Sequence, residues 1–416
     1  MLKSFNKLLV DRLMHNSLVK EASHTIPISP VPEPKPAPGL EIELYGSLDA
    51  IRDDWLELER TCLQSGYNSF HWLNAWLEHM APLESAARPL FVVGRLNGAT
   101  SFLLPLILYR RFGLTIARWM GECLNNQNTG LWTANILQNG NAERLIERLE
   151  TTLRTAGVDM ICLKNMPEDL GGLPYPLATS DGPTSANPLY AFKLENDFQA
   201  LYARTRGSKA RKKIRQKQRK LSELGTVLIR AETNLDARKR AVEATIENRR
   251  IRELKTGVPN AFHTTNHRDF LIKAFAAPER LGDVEPVVHV MWLNDDIQAT
   301  VLGLIQQDRY YCYCTSIKTN EALAHSPGDV LLHAAIEDMC HRGLTWFDLG
   351  MGEEAFKKHW SEPAVLKDWV HPISSGGRVL AVYWDRKLRA KRILRNSPSF
   401  WENYKKARAI LRKIGL

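Results

Sequence analysis

The chain has 416 residues, a net charge of +10, 25% charged residues and 44% hydrophobic residues. That length holds two or three domains, and eleven Trp, eleven Tyr and thirteen Phe exclude a chain disordered throughout. No apolar run approaches the ~20 residues of a membrane-spanning helix, and the excess of cations points to an acidic partner: phosphate, nucleic acid, acidic glycan or an anionic bilayer surface.

Residues 1–20 place Leu2, Phe5, Leu8, Leu9, Leu13 and Met14 at helical spacing beside Lys3, Lys7 and Arg12. An amphipathic terminal helix is expected, docking on a partner or lying on a membrane surface. It lacks the continuous apolar core of a secretory signal. Pro30, Pro32, Pro34, Pro36 and Pro38 then mark an extended linker, so the first boundary falls at residue 39. Cys62, Cys123, Cys162, Cys312, Cys314 and Cys340 form no Cys-x-x-Cys pair. They read as reduced, mostly buried thiols of a cytosolic protein.

Past the linker, a strand is expected over 41–45 and helices over 49–64 and 70–80. Asn97-Gly98 between apolar runs predicts a hairpin of strands 90–96 and 100–109. A helix over 142–156 leads to a buried strand at 160–163. The Pro- and Gly-rich stretch 167–188 reads as a connection. The second half repeats the order. Helices are expected over 198–203 and 208–224, a strand over 226–231, and helices over 234–254 and 267–277. Strands follow at 287–293, 297–306 and 309–315, then a helix over 328–341 and a strand over 345–349. This parallel between halves predicts a tandem duplication of one α/β unit. The divisions are 1–39, 40–185, 186–380 and a basic helical tail over 381–416, with Ala407, Ile410, Leu411 and Ile414 as its apolar stripe.

Three stretches carry chemistry. Tyr310-Tyr311-Cys312-Tyr313-Cys314-Thr315 is followed, ten residues on, by Ser326-Pro327-Gly328-Asp329-Val330. Ser326 suits a helix cap, and Pro327 suits the first turn. Gly328 permits close approach to the backbone, and the free N–H groups of such a helix start attract an anion. The second stretch is Phe347-Asp348-Leu349-Gly350-Met351-Gly352-Glu353-Glu354, continuing through Lys357 to Trp360. It puts a carboxylate at a strand end before a glycine turn. The third is Arg204 to Lys220, with ten Lys or Arg and no acid. It reads either as a solvated face or as a set of phosphate contacts.

In this order the motifs resemble the CelD-like branch of the GNAT acetyltransferase superfamily. They are also similar to Fem-type aminoacyl transferases, which carry two GNAT-like halves. The clearest likeness runs from Ser208 to Trp360, and Asn68-Ser69-Phe70-x-Trp72-Leu73-x-x-Trp76 matches a segment such proteins carry near their start. The resemblance implies an α/β fold of tandem GNAT-like units, with mixed, largely antiparallel sheets flanked by helices. It implies acyl transfer from acetyl-CoA or another acyl-CoA to an amine or hydroxyl of a sugar, amino sugar or amino acid, in envelope or exopolysaccharide synthesis. Ser326, Pro327, Gly328, Asp329 and Val330 would hold the cofactor's pyrophosphate, with Pro327 supplying no N–H. This replaces the better-known Gln/Arg-x-x-Gly-x-Gly/Ala loop. Asp348 and Glu354 are the general-base candidates, and Tyr311 or Tyr313 would protonate the leaving thiolate. Lys357 and Trp360 would contact the acceptor. Tyr311 and Tyr313 are expected on one strand face, with Cys312 and Cys314 on the other.

Two other classes stay open: a Fem-like transferase using aminoacyl-tRNA, and a basic nucleic-acid-binding protein. Peripheral contact with an anionic membrane is also expected. His263 and His267 have chelating spacing but no His-Glu-x-x-His context, so no metal is expected.

Overall fold

Two tight turns seed two sheets. φ is +54° and +82° at Asn97 and Gly98, and +50° and +61° at Asn294 and Asp295. Paired positive φ values give the two-residue turn whose twist matches antiparallel strands. The computed structural model describes residues 39–83, 87–178, 182–277 and 282–395, with 397, 400, 403 and 404. The expected helix within 1–20, the linker at 30–38 and the stripe at 407–414 lie outside the described residues.

The first sheet starts at β1 (Leu40–Tyr45), followed by α1 (Arg52–Glu59) and α2 (Phe70–His79). A meander of β2 (Arg88–Leu96), β3 (Ala99–Arg111) and β4 (Leu114–Trp119) comes next. After β5 (Leu131–Trp132), α3 (Ala134–Asn139) and α4 (Ala142–Thr155), β6 (Met160–Pro167) runs parallel to β4. A small pair, β7 (Asp169–Leu170) and β8 (Leu173–Pro174), lies in the connection.

The second sheet draws on β9 (Leu189–Lys193), which α5 (Phe198–Thr205) and α6 (Ser208–Leu224) follow. Then come β10 (Val227–Ala231), α7 (Leu235–Thr256), α8 (Thr265–Ala276), and the meander β11 (Glu285–Leu293), β12 (Asp296–Gln306) and β13 (Arg309–Ile317). Helix α9 (Pro327–His341) leads into β14 (Trp346–Met351), parallel to β13. The chain closes with β15 (Pro363–Ala364), β16 (Leu366–Pro372) and α10 (Ser375–Arg395).

Strand order is β1-β2-β3-β4-β6-β16 in one sheet and β10-β11-β12-β13-β14-β9-β15 in the other. The two share one plan, four antiparallel strands, a parallel partner and an antiparallel sixth. The sixth strands are exchanged. β9 follows β6 in the chain yet completes the second sheet, and β16 follows the second sheet yet completes the first. Each would otherwise leave a parallel strand as an open edge. The exchange interlocks the halves, and the described residues from Leu40 onward form one compact unit. Residues 366–372 thus belong structurally to the sheet of 40–167, across the division drawn at 185/186.

The expected helix over 49–64 stops at Glu59. Leu63 exchanges backbone hydrogen bonds with Trp132, and the chain leaves the helix to make that bridge. The second sheet is covered on both faces. Its α7 and α8 face joins α1 and α2 in a shared core containing Tyr67, Trp72, Phe270, Phe275 and Tyr313. Its other face packs α5, α6 and α9 through Phe198, Leu221 and Ile336.

Candidate active site

β13 and β14 pair in parallel only from Arg309 to Tyr311 and from Trp346 to Asp348. Beyond that point each strand carries a bulge. The β12 register slips at Gly303 opposite Tyr313, and the β9 register slips opposite Leu349. An inserted residue bends a strand and ends its pairing. The strands therefore part, and the facing edge of β13 has no strand partner. A cavity of about 750 Å³ opens there on the α7 face. Tyr313, Leu349, Glu354 and Lys357 line it, with the α7 side chains Arg249, Arg252 and Lys255 opposite. The bulge also corrects the expected face pattern. Tyr311, Tyr313 and Cys314 share one core, and Cys312 alone joins the other. One extra residue reverses the alternation beyond it.

Asp348 lies off the cavity wall. It is 1% exposed, and its carboxylate accepts hydrogen bonds from Gln127 Nε2 and the Gly350 N–H, both at 2.7 Å. Arg309 approaches it at 3.6 Å and stands 4.8 Å over the Trp346 ring. Burial pushes this carboxyl above the ordinary aspartate range, against the charge of Arg309 and the Gly350 N–H. Tyr311 is also turned away, its hydroxyl donating to the Gln64 carbonyl at 3.1 Å.

Glu354 is half-exposed and pairs with Lys357 at 3.0 Å. Burial works to raise its pKa, but the charge and hydrogen bond of Lys357 outweigh that and hold it below the ordinary glutamate range. Lys357 is buried, and its ammonium also donates to the carbonyls of Gly350 and Met351 at 3.2 and 2.6 Å. It thereby clamps the end of β14. Burial keeps the Tyr313 phenol protonated far above its usual pKa, and among the described residues its hydroxyl has no hydrogen-bond partner. The thiols of Cys312 and Cys314 are pushed up to about 12 and about 11 by burial, so neither is a thiolate at neutral pH. Five of the six cysteines are buried, and Cys123 is exposed.

On the α9 face a separate pocket of about 210 Å³ is lined by Arg206, Lys213, Lys217, Asp329, His333 and Trp360. Trp360 stacks on Phe192 at 5.3 Å, and the Arg206 guanidinium lies 5.7 Å from its ring. Phe356 lines both this pocket and the larger cavity. The helix start at 326–330 differs from expectation. Ser326 sits at φ +52° and makes no side-chain cap. Asp329 is paired with Lys217 of α6. A Cβ on Gly328 would meet Ile317 Cδ1 at 2.5 Å, so a larger residue here would displace that exposed side chain. Pro327 and Val330 are buried. The site elements therefore divide, with Tyr313, Glu354 and Lys357 together in the large cavity and Asp329 and Trp360 in the basic pocket. Asp348 and Tyr311 lie behind the strands.

Sequence reasoning missed the loop 121–130. Its Asn126 donates to the Tyr67 hydroxyl at 2.9 Å and to the Cys312 and Tyr313 carbonyls at 3.4 Å, and its Gln127 holds Asp348. The aromatic segment at 68–76 supports this loop. Asn68 Oδ1 accepts the Thr129 N–H at 2.9 Å, and Trp72 Nε1 donates to Asn125 Oδ1 at 2.8 Å. The polar run Asn125-Asn126-Gln127-Asn128 between Gly121 and Gly130 was the available signal. Thr264 caps α8 by accepting the His267 N–H, and the His267 ring bonds the same hydroxyl at 2.7 Å.

Residues 208–358 match the acetyltransferase (GNAT) domain family. This match, over about a third of the chain, supports an acetyltransferase, and a domain of this kind implies an acyl-CoA co-substrate. Among solved structures, FemX is similar, with a TM-score of 0.56 and 10% identity over 82% of this chain and 100% of its own. A conserved protein of unknown function from Bacteroides thetaiotaomicron has a TM-score of 0.51 and 13% identity, over 80% of this chain and 100% of its own. A tandem GNAT protein from the clavulanic acid biosynthesis pathway has a TM-score of 0.44 and 14% identity, over 81% of this chain and 99% of its own. Likeness at these identities concerns the fold. No curated protein sequence matches the chain.

Proposed function

We propose that the chain transfers an acyl group from acyl-CoA to the amine or hydroxyl of a sugar, amino-sugar or amino-acid acceptor, of the kind used in envelope or exopolysaccharide assembly. One observation carries the reading: β13 and β14 part between a basic pocket on the α9 face and a large cavity on the α7 face. The donor enters from the α9 face. Arg206, Lys213 and Lys217 fit its phosphates, and the first turn of α9 adds its dipole. Phe356 lines both spaces, and an unbranched arm would pass beside it between the strands. The acceptor occupies the α7 face.

The residues of this chain then have distinct tasks. The unpaired edge of β13 offers backbone N–H groups to the acyl oxygen. Glu354 stays ionised and orients the acceptor. The acceptor attacks as the neutral amine or hydroxyl, because an ammonium has no lone pair and a carboxylate this acidic does not remove its proton. As the new bond to carbon forms, the acceptor's proton becomes strongly acidic, and Glu354 then takes it. Tyr313, protonated and without a hydrogen-bond partner among the described residues, gives its proton to the departing sulfur. Asp348 and Gln127 act as positioning residues that join the 121–130 loop to β14. Trp360 belongs to the donor side in this scheme, and Lys357 holds Glu354.

Peripheral contact with an anionic bilayer forms part of the proposal. Val379, Val382, Tyr383, Ile393 and Leu394 are exposed along one side of α10. Arg386, Lys387 and Arg389 lie beside them. No described helix is long and apolar enough to cross a membrane.

Isothermal titration with acetyl-CoA and longer acyl-CoAs tests the reading, beside a Lys213→Glu/Lys217→Glu variant. Saturable binding lost in the variant is expected. Absence of acyl-CoA binding, with salt-sensitive binding of RNA, would overturn it in favour of aminoacyl-tRNA use.

A further inference from the structure

The large cavity has an unbalanced charge. Its lining includes Arg249, Arg252, Lys255 and Lys357, against Glu354 as the sole lining carboxylate among the described residues. The Glu354 charge is committed to Lys357 at 3.0 Å. Arg249, Arg252 and Lys255 recur every third residue of α7, which sets them along one side of the helix. Arg249 is spent on neutral partners. Its Nη1 donates to the Thr315 carbonyl at 3.2 Å, and its guanidinium lies 5.3 Å from the Phe262 ring. Arg252 and Lys255 have no ion pair among the described residues. Burial and the like charge of Arg249 depress Arg252, and only Glu354 acts in the other direction. Three cations on one cavity wall repel one another, and an anion between them would relieve that repulsion.

We propose that the α7 wall is an anion subsite, and that the acceptor is an amine or hydroxyl compound bearing a carboxylate or phosphate held by Arg252 and Lys255. This rests on the acyl-transfer reading for the word acceptor, while the anion subsite stands on the cavity alone. Arg252 supplies a planar fork that matches either oxyanion, and Lys255 adds a mobile point charge. Held there, the acceptor directs its nucleophile across the cavity to Glu354. A neutral sugar lacks the group this wall recognises. The subsite also lies on the opposite sheet face from Lys213 and Lys217, so it is separate from the donor's phosphates.

Cys123 makes the test local, because it lines this cavity and is the exposed cysteine among six. The full chain is labelled with a negatively charged and a positively charged alkylthiosulfonate, and the rate at Cys123 is read by peptide mass. The anionic reagent is expected to react faster. In Arg252→Gln/Lys255→Gln the anionic-to-cationic rate ratio should fall about threefold or more at low ionic strength. Inorganic pyrophosphate and citrate should each protect Cys123 saturably in the wild type and not in the double variant. The tighter protector distinguishes a phosphate from a carboxylate acceptor. A rate ratio indifferent to the substitutions, or protection that survives them, overturns the anion subsite. Titration of the same proteins with acyl-CoA keeps the two readings apart. Failure of acyl-CoA to bind the wild type would sink the transfer scheme, whereas unchanged labelling in the double variant would sink the subsite.

Discussion

Asp348 and Glu354 are six residues apart, and the structure gives them opposite tasks. Replacing Asp348 with Ala removes the acceptor for Gln127 Nε2 and the Gly350 N–H, both at 2.7 Å, and the counter-charge for Arg309 at 3.6 Å. Each orphaned buried donor costs about 1–3 kcal/mol, and breaking a buried ion pair costs about 3–5 kcal/mol. The Arg309 side chain retains 26% exposure, so its share is at the low end. The expected loss is about 5 kcal/mol or more, read as a large fall in the urea midpoint by tryptophan fluorescence. Glu354→Gln removes a carboxylate whose side chain is 44% exposed. Lys357 keeps its two backbone carbonyls but its buried ammonium loses its counter-charge, so stability should fall by about 1–3 kcal/mol, less than for Asp348→Ala. Its rate of thiol release from acyl-CoA, with an acceptor found by screening, should fall about 10²-fold or more. A fully active Glu354→Gln, or an Asp348→Ala that is stable and inactive, would refute this division of labour.

Three further outcomes are expected. Glu59 is buried and its carboxyl is raised to about 7 by burial, although it accepts the Phe70 and Asp283 N–H groups at 2.9 and 3.2 Å. The folded state thus keeps a proton that the unfolded chain loses near 4.5. Stability is greatest below the unfolded value and declines as pH rises toward 7, by about 3 kcal/mol, and Glu59→Gln should abolish that slope in chemical denaturation. At Gly377 a Cβ would lie 1.8 Å from the Asp159 carbonyl oxygen, so Gly377→Ala should loosen α10. The expected cost is about 3 kcal/mol, with faster amide exchange confined to α10 and β16, and unchanged exchange there would contradict the packing argument. Finally, Ile393→Asp/Leu394→Asp should weaken co-sedimentation with anionic vesicles at least about tenfold while leaving acyl-CoA binding intact. Equal binding to neutral vesicles would argue against a charged bilayer as the partner.

Much of the molecule is legible in the sequence. Periodicity and turn chemistry placed the helices at 70–80, 142–156 and 208–224 and both hairpins close to their observed ends, because these signals act over a few residues. The motif at 345–360 located the end of the strand that borders the cavity. Which of its carboxylates faces solvent was not legible, since Asp348 and Glu354 differ only in what the fold sets around them. The bulge at Tyr313 was equally hidden, because strand register depends on the neighbouring strand. It put Cys314 beside Tyr313 against the simple alternation.

What the sequence by itself determined was local: element types, turn positions, an excess of cations on α6, and a likeness strong enough to name the chemistry. Only the tertiary structure decided the exchange of β9 and β16, the reach of Gln127 across 221 residues to Asp348, and the meeting of α7 cations with Glu354 in one cavity. The physical reason is common to all three. Each depends on pairing or burial between segments far apart in the chain, and no window of residues encodes the partner that will arrive.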